Sequence, residues 1–471
     1  MDAAHKKILL SDGHSVLSRQ IINIVSNDLP EYEIHVLVSS RYAISTFTSR
    51  ITKYHIIDSS TENPYAWLSD VLNVLRSDKF TVLFPVSEHM AILSAEANQI
   101  RELGVGICVP EFSSLRLIYD KIELVETLWH LDLDQPRTCV VNTEDELVEV
   151  AVEFIKYPKP AYHHKGFYVK LPIGSGGIDV THFRDWAKGA DVQHYLEKLA
   201  TPFGMQSDAL DENVGPVIVQ QGIDGSLLVV DAVFRNGHLV AWHACSVVEC
   251  IEYEVYYEPF ILPIAYPQPI TTEKRNNYCP GISMILEKLG ERLKWHGPLS
   301  LKIVMTQPTL YEREASDRGF QEFKHEAYII DVSACLKEPM NAQLAGTKLI
   351  NLLLDLSLEG KGNSPRTPFR LPKYLTETHS GLISVISTSR MPINIGMVEF
   401  WKALKGLEKG EELTPYWDVT GRIDWWNVIL VVWIAIAILA WPEWGNAFVK
   451  QSNRTRAREE KWWWIVERDQ R

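Results

Sequence analysis

The 471-residue chain has few cysteines and no excess of positive charge. Its six cysteines form no CxxC pair and no zinc-type spacing, which favours reduced thiols in a cytosol-facing domain. The net charge is −13 and no basic stripe interrupts the globular part, so we expect no nonspecific binding to nucleic acid. The sequence has no HExxH motif, and His163-His164 is therefore interpreted as a surface pair. No amino-terminal signal peptide is visible.

The hydrophobic content, 46%, is ample for buried cores, and the length predicts about two to four domains. The first hundred residues alternate between strand-like and helix-like patterns. Strands are predicted over 7–11, 33–39 and 81–86, and helices over 16–25 and 88–103. This βαβ pattern is typical of a parallel sheet. Further along, Asn236-Gly237 joins two alternating apolar runs and predicts a β-hairpin.

A glycine-rich segment follows a short apolar strand that ends in a lysine. The strand is Phe167-Tyr168-Val169 with Lys170 at its end, and the segment is Gly174-Ser175-Gly176-Gly177. Glycines allow successive amide hydrogens to converge on phosphate oxygens, and the lysine adds a compact positive charge. The unit is suited to a polyphosphate, although a plain glycine-rich hairpin turn with a surface lysine has the same pattern.

Several weaker motifs surround this unit in a fixed order along the chain. They are Tyr119-Asp120-Lys121, Val217-Ile218-Val219, Gln220-Gln221-Gly222-Ile223-Asp224-Gly225, Gly297-Pro298-Leu299-Ser300-Leu301, Ile329-Ile330-Asp331-Val332-Ser333 and Ala345-Gly346. In this order and spacing they resemble the ATP-grasp superfamily, which includes D-alanine ligase, biotin carboxylase and carbamoyl-phosphate synthetase. The resemblance covers roughly residues 5 to 360. Its strength lies in the collinear set, since no single motif is specific.

The resemblance implies an α/β plus α+β architecture, in which a parallel pre-ATP-grasp α/β domain precedes a two-lobed ATP-grasp fold. The expected divisions are the pre-grasp domain (1–110), the small lobe with its preceding helix (111–215), the large lobe (216–360), a linker and membrane-proximal region (361–424), a hydrophobic helix (425–444) and a basic, tryptophan-rich tail (445–471). Ser87-Glu88 would face the acceptor-substrate pocket, because ligands bind at the carboxyl ends of parallel strands. The alternative role for Glu88 is a negative charge favoured by a helix amino terminus.

The resemblance also implies an ATP site. Lys121 and Lys170 would hold the phosphates under the glycine loop, although an ordinary helix-surface role for Lys121 is an alternative. Adenine needs a flat apolar slot with hydrogen bonds at its edge. Three residues, Gln220, Gln221 and Ile223, would supply it. Gln220 replaces the family's usual glutamate, and its amide oxygen can still accept from the adenine amine. Leu227 stands where many members bind ribose through a glutamate.

The implied Mg2+ site departs most from the family pattern. Asp331 and Ser333 keep oxygen ligands on one strand, but Lys302 stands where the neighbouring strand should offer an acceptor. Cys335 replaces an arginine, and Lys337 is the catalytic cation near enough to compensate. The gap at Lys302 leaves three alternatives: a single metal held through Asp331, an acid such as Glu249 or Glu252 in its place, or the loss of catalysis.

The carboxyl-terminal part changes in composition after a predicted linker over 361–368. An apolar run over 428–440 is bracketed by Trp425, Trp426, Trp441 and Trp444, which favours a single-pass membrane segment over 425–444 with the catalytic lobes in the cytosol. A buried core helix is the alternative. Basic residues after the run conflict with that topology, so a shallow or re-entrant helix is also open, with 462–464 as a second interfacial contact.

The resulting functional hypothesis is an ATP-dependent ligase that uses ATP and Mg2+ to activate a substrate carboxylate as an acyl phosphate and joins it to an amine or thiol. Its expected partners are small-molecule carboxylate and amine substrates. The departures at Leu227, Lys302 and Cys335 favour an alternative, an ATP-binding scaffold tethered to a membrane. A carboxylase using bicarbonate is a third hypothesis. The sequence does not indicate the oligomeric state.

Overall fold

The first sheet is parallel, as the alternating pattern predicted. The computed structural model describes residues 6–39, 43, 45, 48–57, 63–86, 89–156, 166–173, 180–183, 216–247, 252–255, 258–261, 267–269, 272–306, 327–344, 346–359 and 462–470. Strands β1 (Lys6–Leu10), β2 (Tyr32–Val38), β3 (Lys53–Ile56) and β4 (Val82–Phe84) lie in the order β3-β2-β1-β4. The edge strand β3 was not predicted, since it is short and mostly exposed.

Four helices accompany this sheet: α1 (Val16–Asp28), α2 (Pro64–Asp78), α3 (Met90–Ala95) and α4 (Ala97–Glu102). Helix α2 begins with two favourable signals, Asn63 accepting from the Tyr65 amide and proline in the first turn. The helix predicted over 88–103 is broken between α3 and α4, because the backbone leaves helical geometry at Glu96.

The next helical segment also consists of two helices, α5 (Phe112–Tyr119) and α6 (Lys121–His130). Asp120 between them is extended, with φ −78° and ψ 114°. Its carboxylate accepts from the Ile122 amide at 2.9 Å and so caps α6. The break makes Lys121 the first residue of α6, directly after the Asp120 cap.

The second sheet is antiparallel and contains β5 (Thr138–Val141), β6 (Phe167–Lys170), β7 (Val180–Phe183) and β8 (Val217–Gln221), in the order β5-β8-β6-β7. Helix α7 (Glu144–Lys156) packs on it through Leu147, Ala151 and Phe154. Strand β8 begins just after the predicted domain limit at residue 215, so this sheet extends across that limit.

The third sheet has the order β13-β10-β9-β14-β15. Its strands are β9 (Ser226–Arg235), β10 (His238–Val247), β13 (Pro267–Pro269), β14 (Gly297–Met305) and β15 (Ala327–Ser333); β11 (Glu252–Val255) and β12 (Glu258–Ile261) form a separate pair, and the helices are α8 (Thr272–Leu293), α9 (Pro339–Leu344) and α10 (Leu349–Ser357). The predicted hairpin is confirmed. Asn236 and Gly237 both have positive φ, 49° and 90°, as a tight turn between twisted strands requires.

A short helix at the carboxyl terminus, α11 (462–470), packs against the first domain. Trp462, Trp463 and Val466 are almost fully buried, so the expectation of a membrane-interface contact at 462–464 is wrong for the first two tryptophans. Their indole rings contact other aromatic residues, which remove them from water as effectively as lipid would. None of the described helices is both long and apolar enough to cross a membrane. The predicted segment 425–444 lies outside the described residues.

Candidate active site

Lys170 connects the second and third sheets. As the last residue of β6 it is 9% exposed, and its ammonium donates to Gln220 Oε1 at 2.7 Å and to the Ile330 carbonyl at 2.8 Å. Gln220 lies in β8 of the same sheet, whereas Ile330 lies in β15 of the other. A charge this buried is retained only where hydrogen bonds stabilise it. Lys170 is therefore a cation that hydrogen bonds fix at the junction of the two sheets.

Gln220 and Gln221, two of the residues expected to bind adenine, form hydrogen bonds with neighbouring parts of the chain. The Gln220 amide oxygen, expected to face adenine, accepts from Lys170, and the amide nitrogen donates to Thr138 Oγ1 at 3.2 Å. The Gln221 backbone N–H donates to the Arg137 carbonyl at 2.9 Å. Ile223 is half-buried. The adenine-binding role of Gln220, Gln221 and Ile223 stays a prediction, but the direction of the Gln220 side chain indicates that it positions Lys170.

Asp331 lies beside Lys302 on adjacent strands. The two residues are cross-strand partners in β14 and β15, and Lys302 Nζ lies 3.7 Å from Asp331 Oδ2. Burial opposes ionisation of Asp331, yet nearby lysines, Lys302 foremost and then Lys170, Lys121 and Lys337, hold its pKa below the ordinary value. The carboxylate is consequently charged at neutral pH, and about a third of its side chain is exposed.

Lys337 follows β15 in a turn that a buried carboxylate organises. The backbone N–H groups of Lys337 and Glu338 donate to Asp231, at 2.9 and 2.7 Å for the shorter contact of each. Burial raises the pKa of Asp231, and these N–H groups oppose that rise. Cys335 and Asp331 hold the pKa of Lys337 above its ordinary value against burial.

The sequence reasoning missed Asp231. The available signal was a lone acid inside the apolar strand run 227–235, where a charge needs a specific partner. In the structure Asp231 is 1% exposed and lies in β9, the central strand of the third sheet. Its carboxylate accepts from the backbone N–H groups of Lys337 and Glu338, so we assign it a role in positioning the turn that carries Lys337.

Lys121 approaches the same region from helix α6. Its backbone N–H donates to the Pro172 carbonyl at 2.9 Å, which ties the start of α6 to the segment before the glycine loop. Its charge contributes to the lowered pKa of Asp331. We use the name lysine centre for Asp331 together with the four lysines whose charges lower its pKa. These lysines are Lys121, Lys170, Lys302 and Lys337.

The lysine centre is suited to a polyanion. The charges of four lysines act on the Asp331 carboxylate, and the ammonium of Lys302 is in contact with it, so positive charge is concentrated at this point of an acidic chain. Mg2+ commonly takes one or two carboxylates and completes its coordination with water and substrate phosphates. Asp331 offers one partly exposed carboxylate, and Ser333 offers a hydroxyl that lies 3.2 Å from Cys335 Sγ. This donor set fits a magnesium ion that arrives with its phosphate ligands.

Several sequence-predicted residues lie outside the described residues. These are Ser87-Glu88, His163-His164, Gly174-Ser175-Gly176-Gly177 and Glu249. Their roles stay predictions. The described residues that flank the glycine segment in the chain are Ile173, three residues after Lys170, and Val180, the first residue of β7.

A second group of ligand-type side chains lies elsewhere in the described part of the chain. His35, His55 and Asp78 have ligand atoms within 4.8 Å of one another. Both carboxylate oxygens of Asp78 already accept from lysines, from Lys7 at 3.2 Å and from Lys53 at 3.1 Å. These ion pairs occupy the one carboxylate of the group, so we assign no metal to it.

The fold is similar to that of solved ATP-grasp proteins. No family model matches the sequence, and no curated protein matches it significantly. The biotin carboxylase domain of a Hydrogenobacter thermophilus 2-oxoglutarate carboxylase, crystallised with MgADP, ADP and bicarbonate, has a TM-score of 0.51 at 11% identity, covering 77% of this chain and 71% of that chain. A Campylobacter jejuni biotin carboxylase in a beta-gamma-ATP complex has a TM-score of 0.52 at 12% identity, covering 78% and 72%. At such identity the likeness shows the fold alone, a mixed α/β architecture similar to that of these ATP-grasp proteins.

Proposed function

We propose that this chain is an ATP-dependent ligase that activates a carboxylate as an acyl phosphate and transfers the acyl group to an amine or thiol. The observation that carries the proposal is the lysine centre: Lys170 bridges two sheets by hydrogen bonds to Gln220 and to the Ile330 carbonyl, next to Asp331, which is in contact with Lys302. ATP is the polyanion that this fold and this charge distribution together favour, and Mg2+ is its usual companion.

The proposed reaction has two steps. A carboxylate oxygen of the first substrate attacks the γ-phosphorus of ATP, the bond from that phosphorus to the ADP oxygen breaks, and ADP leaves with the bonding electrons. The amine nitrogen or thiol sulfur then attacks the acyl carbon and loses its proton, and phosphate leaves with the electrons of the C–O bond. Negative charge accumulates on phosphate oxygens in both steps, so fixed cations stabilise the transition states.

Individual residues have distinct roles in this proposal. Lys170 and Lys121 bind phosphate oxygens, and Lys337 stabilises charge on the transferred group. Asp331, with Ser333, would hold Mg2+, which when bound neutralises charge on the phosphates. Lys170 is held by Gln220 and by the Ile330 carbonyl, so the cation is already in position before the nucleotide binds.

The rival function is a nucleotide-binding scaffold without catalysis. The Lys302–Asp331 contact of 3.7 Å favours it, because a lysine neutralises the carboxylate that a magnesium ion would need. Bicarbonate is included among the carboxylates to be tested, as the third hypothesis.

One assay separates these functions. Purified protein is incubated with MgATP and a library of carboxylic acids, bicarbonate, amines and thiols, and ADP release is measured. Substrate-dependent ADP release supports the ligase, and its absence with every pair, in protein that binds MgATP, supports the scaffold. If only Lys302→Gln releases ADP, the ion pair with Asp331 has silenced an otherwise competent centre.

A further inference from the structure

Helix α11 (462–470) makes an aromatic contact with the first domain. Trp462 lies near Trp67 and His89, with ring centroids 5.7 and 5.9 Å away. Trp463 stacks on Tyr119, with centroids 4.4 Å apart and an angle of 16° between the rings, and also contacts Phe112 at 5.5 Å. Trp463 is 1% exposed. We name the packing of Trp462 and Trp463 on these rings the aromatic contact. It buries large side chains and is expected to be stable.

The aromatic contact lies at the edge of the parallel sheet where ligands bind. His89 follows strand β4, and Trp67 belongs to the first turns of α2, which follows β3. Both positions are on the carboxyl side of their strands, and open parallel sheets bind ligands at this side. Helix α11 therefore packs beside the functional edge of the first domain.

The same helix reaches the segment that carries Lys121. Tyr119, the ring under Trp463, is the last residue of α5, two positions before Lys121. Burial raises the pKa of Asp120, the cap of α6, and the charge of the buried Glu467 on α11 adds to that rise. Tyr119, Asp120 and Lys121 form a continuous backbone, so a ring fixed on Tyr119 restricts the start of α6.

We propose that Trp463 is a positioning residue of the nucleotide site: by stacking on Tyr119 it fixes the start of α6 and so directs Lys121 towards the lysine centre. This inference rests on the proposed function, and it adds a role for the far end of the chain. Because coupling between two sites is reciprocal, docking of α11 strengthens MgATP binding and MgATP strengthens docking of α11.

The test is a double-mutant cycle on the full-length chain. MgATP affinity is measured by calorimetry for wild type, Trp463→Ala, Lys121→Ala and the double variant. Trp463→Ala should weaken binding roughly fivefold or more, and in the Lys121→Ala background it should cause no further loss. Trp463→Phe keeps a stacked ring and should bind nearly as wild type. Trp464→Ala is the matched control, since that side chain on the same helix is 45% exposed.

The cycle separates positioning from a general loss of stability. If Trp463→Ala weakens MgATP binding as much with Lys121 absent as with it present, or has no effect, the inference is wrong while the nucleotide site stands. If the wild-type chain does not bind MgATP at all, the proposed function fails first and the inference falls with it. Should Trp463→Ala not fold, Trp463→Leu replaces it in the same cycle.

Discussion

The lysine centre and the aromatic contact are both buried junctions between distant parts of the chain, but they have opposite chemistry. The first joins two sheets through Lys170, Asp331 and hydrogen bonds to a carbonyl. The second joins the terminal helix to α5 through rings around Trp463 and to the first domain through Trp462. Buried charges contribute little net stability, whereas buried aromatic surface contributes a great deal.

This difference assigns the two junctions different purposes. Several lysines acting on one carboxylate add little to the stability of a fold, because like charges repel, and a bound polyanion would offset that repulsion. The aromatic contact needs no ligand to be favourable. Substitutions in the first should change function more than stability, and those in the second should change stability strongly.

Removing residues 425–444 tests the predicted membrane segment and has the largest expected effect. If this apolar run anchors the chain, full-length protein resists alkaline carbonate extraction, and a variant with a flexible polar linker in its place is released. The variant keeps helix α11 and should still bind MgATP. Release of the wild-type chain by carbonate, with aggregation of the variant, would show that the run packs inside the protein.

Trp463→Ala tests the stability of the aromatic contact. Loss of a fully buried indole should lower the free energy of unfolding by about 3–5 kcal/mol. Trp464→Ala, on the exposed side of the same helix, should change it by no more than about 0.5 kcal/mol. Denaturant titration measures both, and equal losses for the two variants would contradict the packing described.

The sequence predicted the lysine centre better than the aromatic contact, for a physical reason. Lys170, Asp331 and the glycine segment are not specific one by one, but their order along the chain resembles that of one superfamily. A tryptophan-rich helix is compatible with lipid, with a partner or with the protein's own core, because all three remove indole from water. Only the tertiary structure shows that Trp463 contacts Tyr119.

The hydrogen-bond partners of polar side chains also could not be predicted from the sequence. The sequence predicts that the Gln220 amide oxygen accepts from adenine, yet in the structure it accepts from Lys170. Asp231 organises the turn at Lys337 from β9, which β14 separates from β15 in the third sheet. These contacts depend on registers between strands that are distant in sequence, which local patterns do not define.

Asp331→Asn tests whether the carboxylate of the lysine centre acts in catalysis. Turnover should fall by roughly 100-fold or more, while MgATP affinity is largely kept, because the lysines remain. Asp132→Asn makes the same chemical change at an exposed position whose left-handed backbone, φ 52°, asparagine tolerates. Steady-state ADP release and calorimetry on both variants give the comparison, and unchanged turnover in Asp331→Asn would remove Asp331 from the mechanism.

A pH dependence of stability is expected from buried His243. Burial lowers its folded-state pKa to about 4, below the ordinary value of 6.5. Between these values the unfolded chain binds more protons, so the free energy of unfolding falls as pH falls from 6.5 to 4, by at most about 1.4 kcal/mol per pH unit. His243→Asn should flatten this slope in denaturant titrations. His55, with a lowered pKa of about 4, has the same sign and accounts for part of what remains.

The central claim is that the lysine centre binds the phosphates of ATP, and the most direct measurement is MgATP affinity in Lys170→Met. Methionine keeps most of the buried stem and removes the charge, so calorimetry should show a loss of roughly tenfold or more. Lys348→Ala, which removes a lysine that is 55% exposed, should bind as wild type. Both are measured beside thermal unfolding to establish that they are folded. Equal MgATP affinity in folded Lys170→Met and wild type would contradict the account.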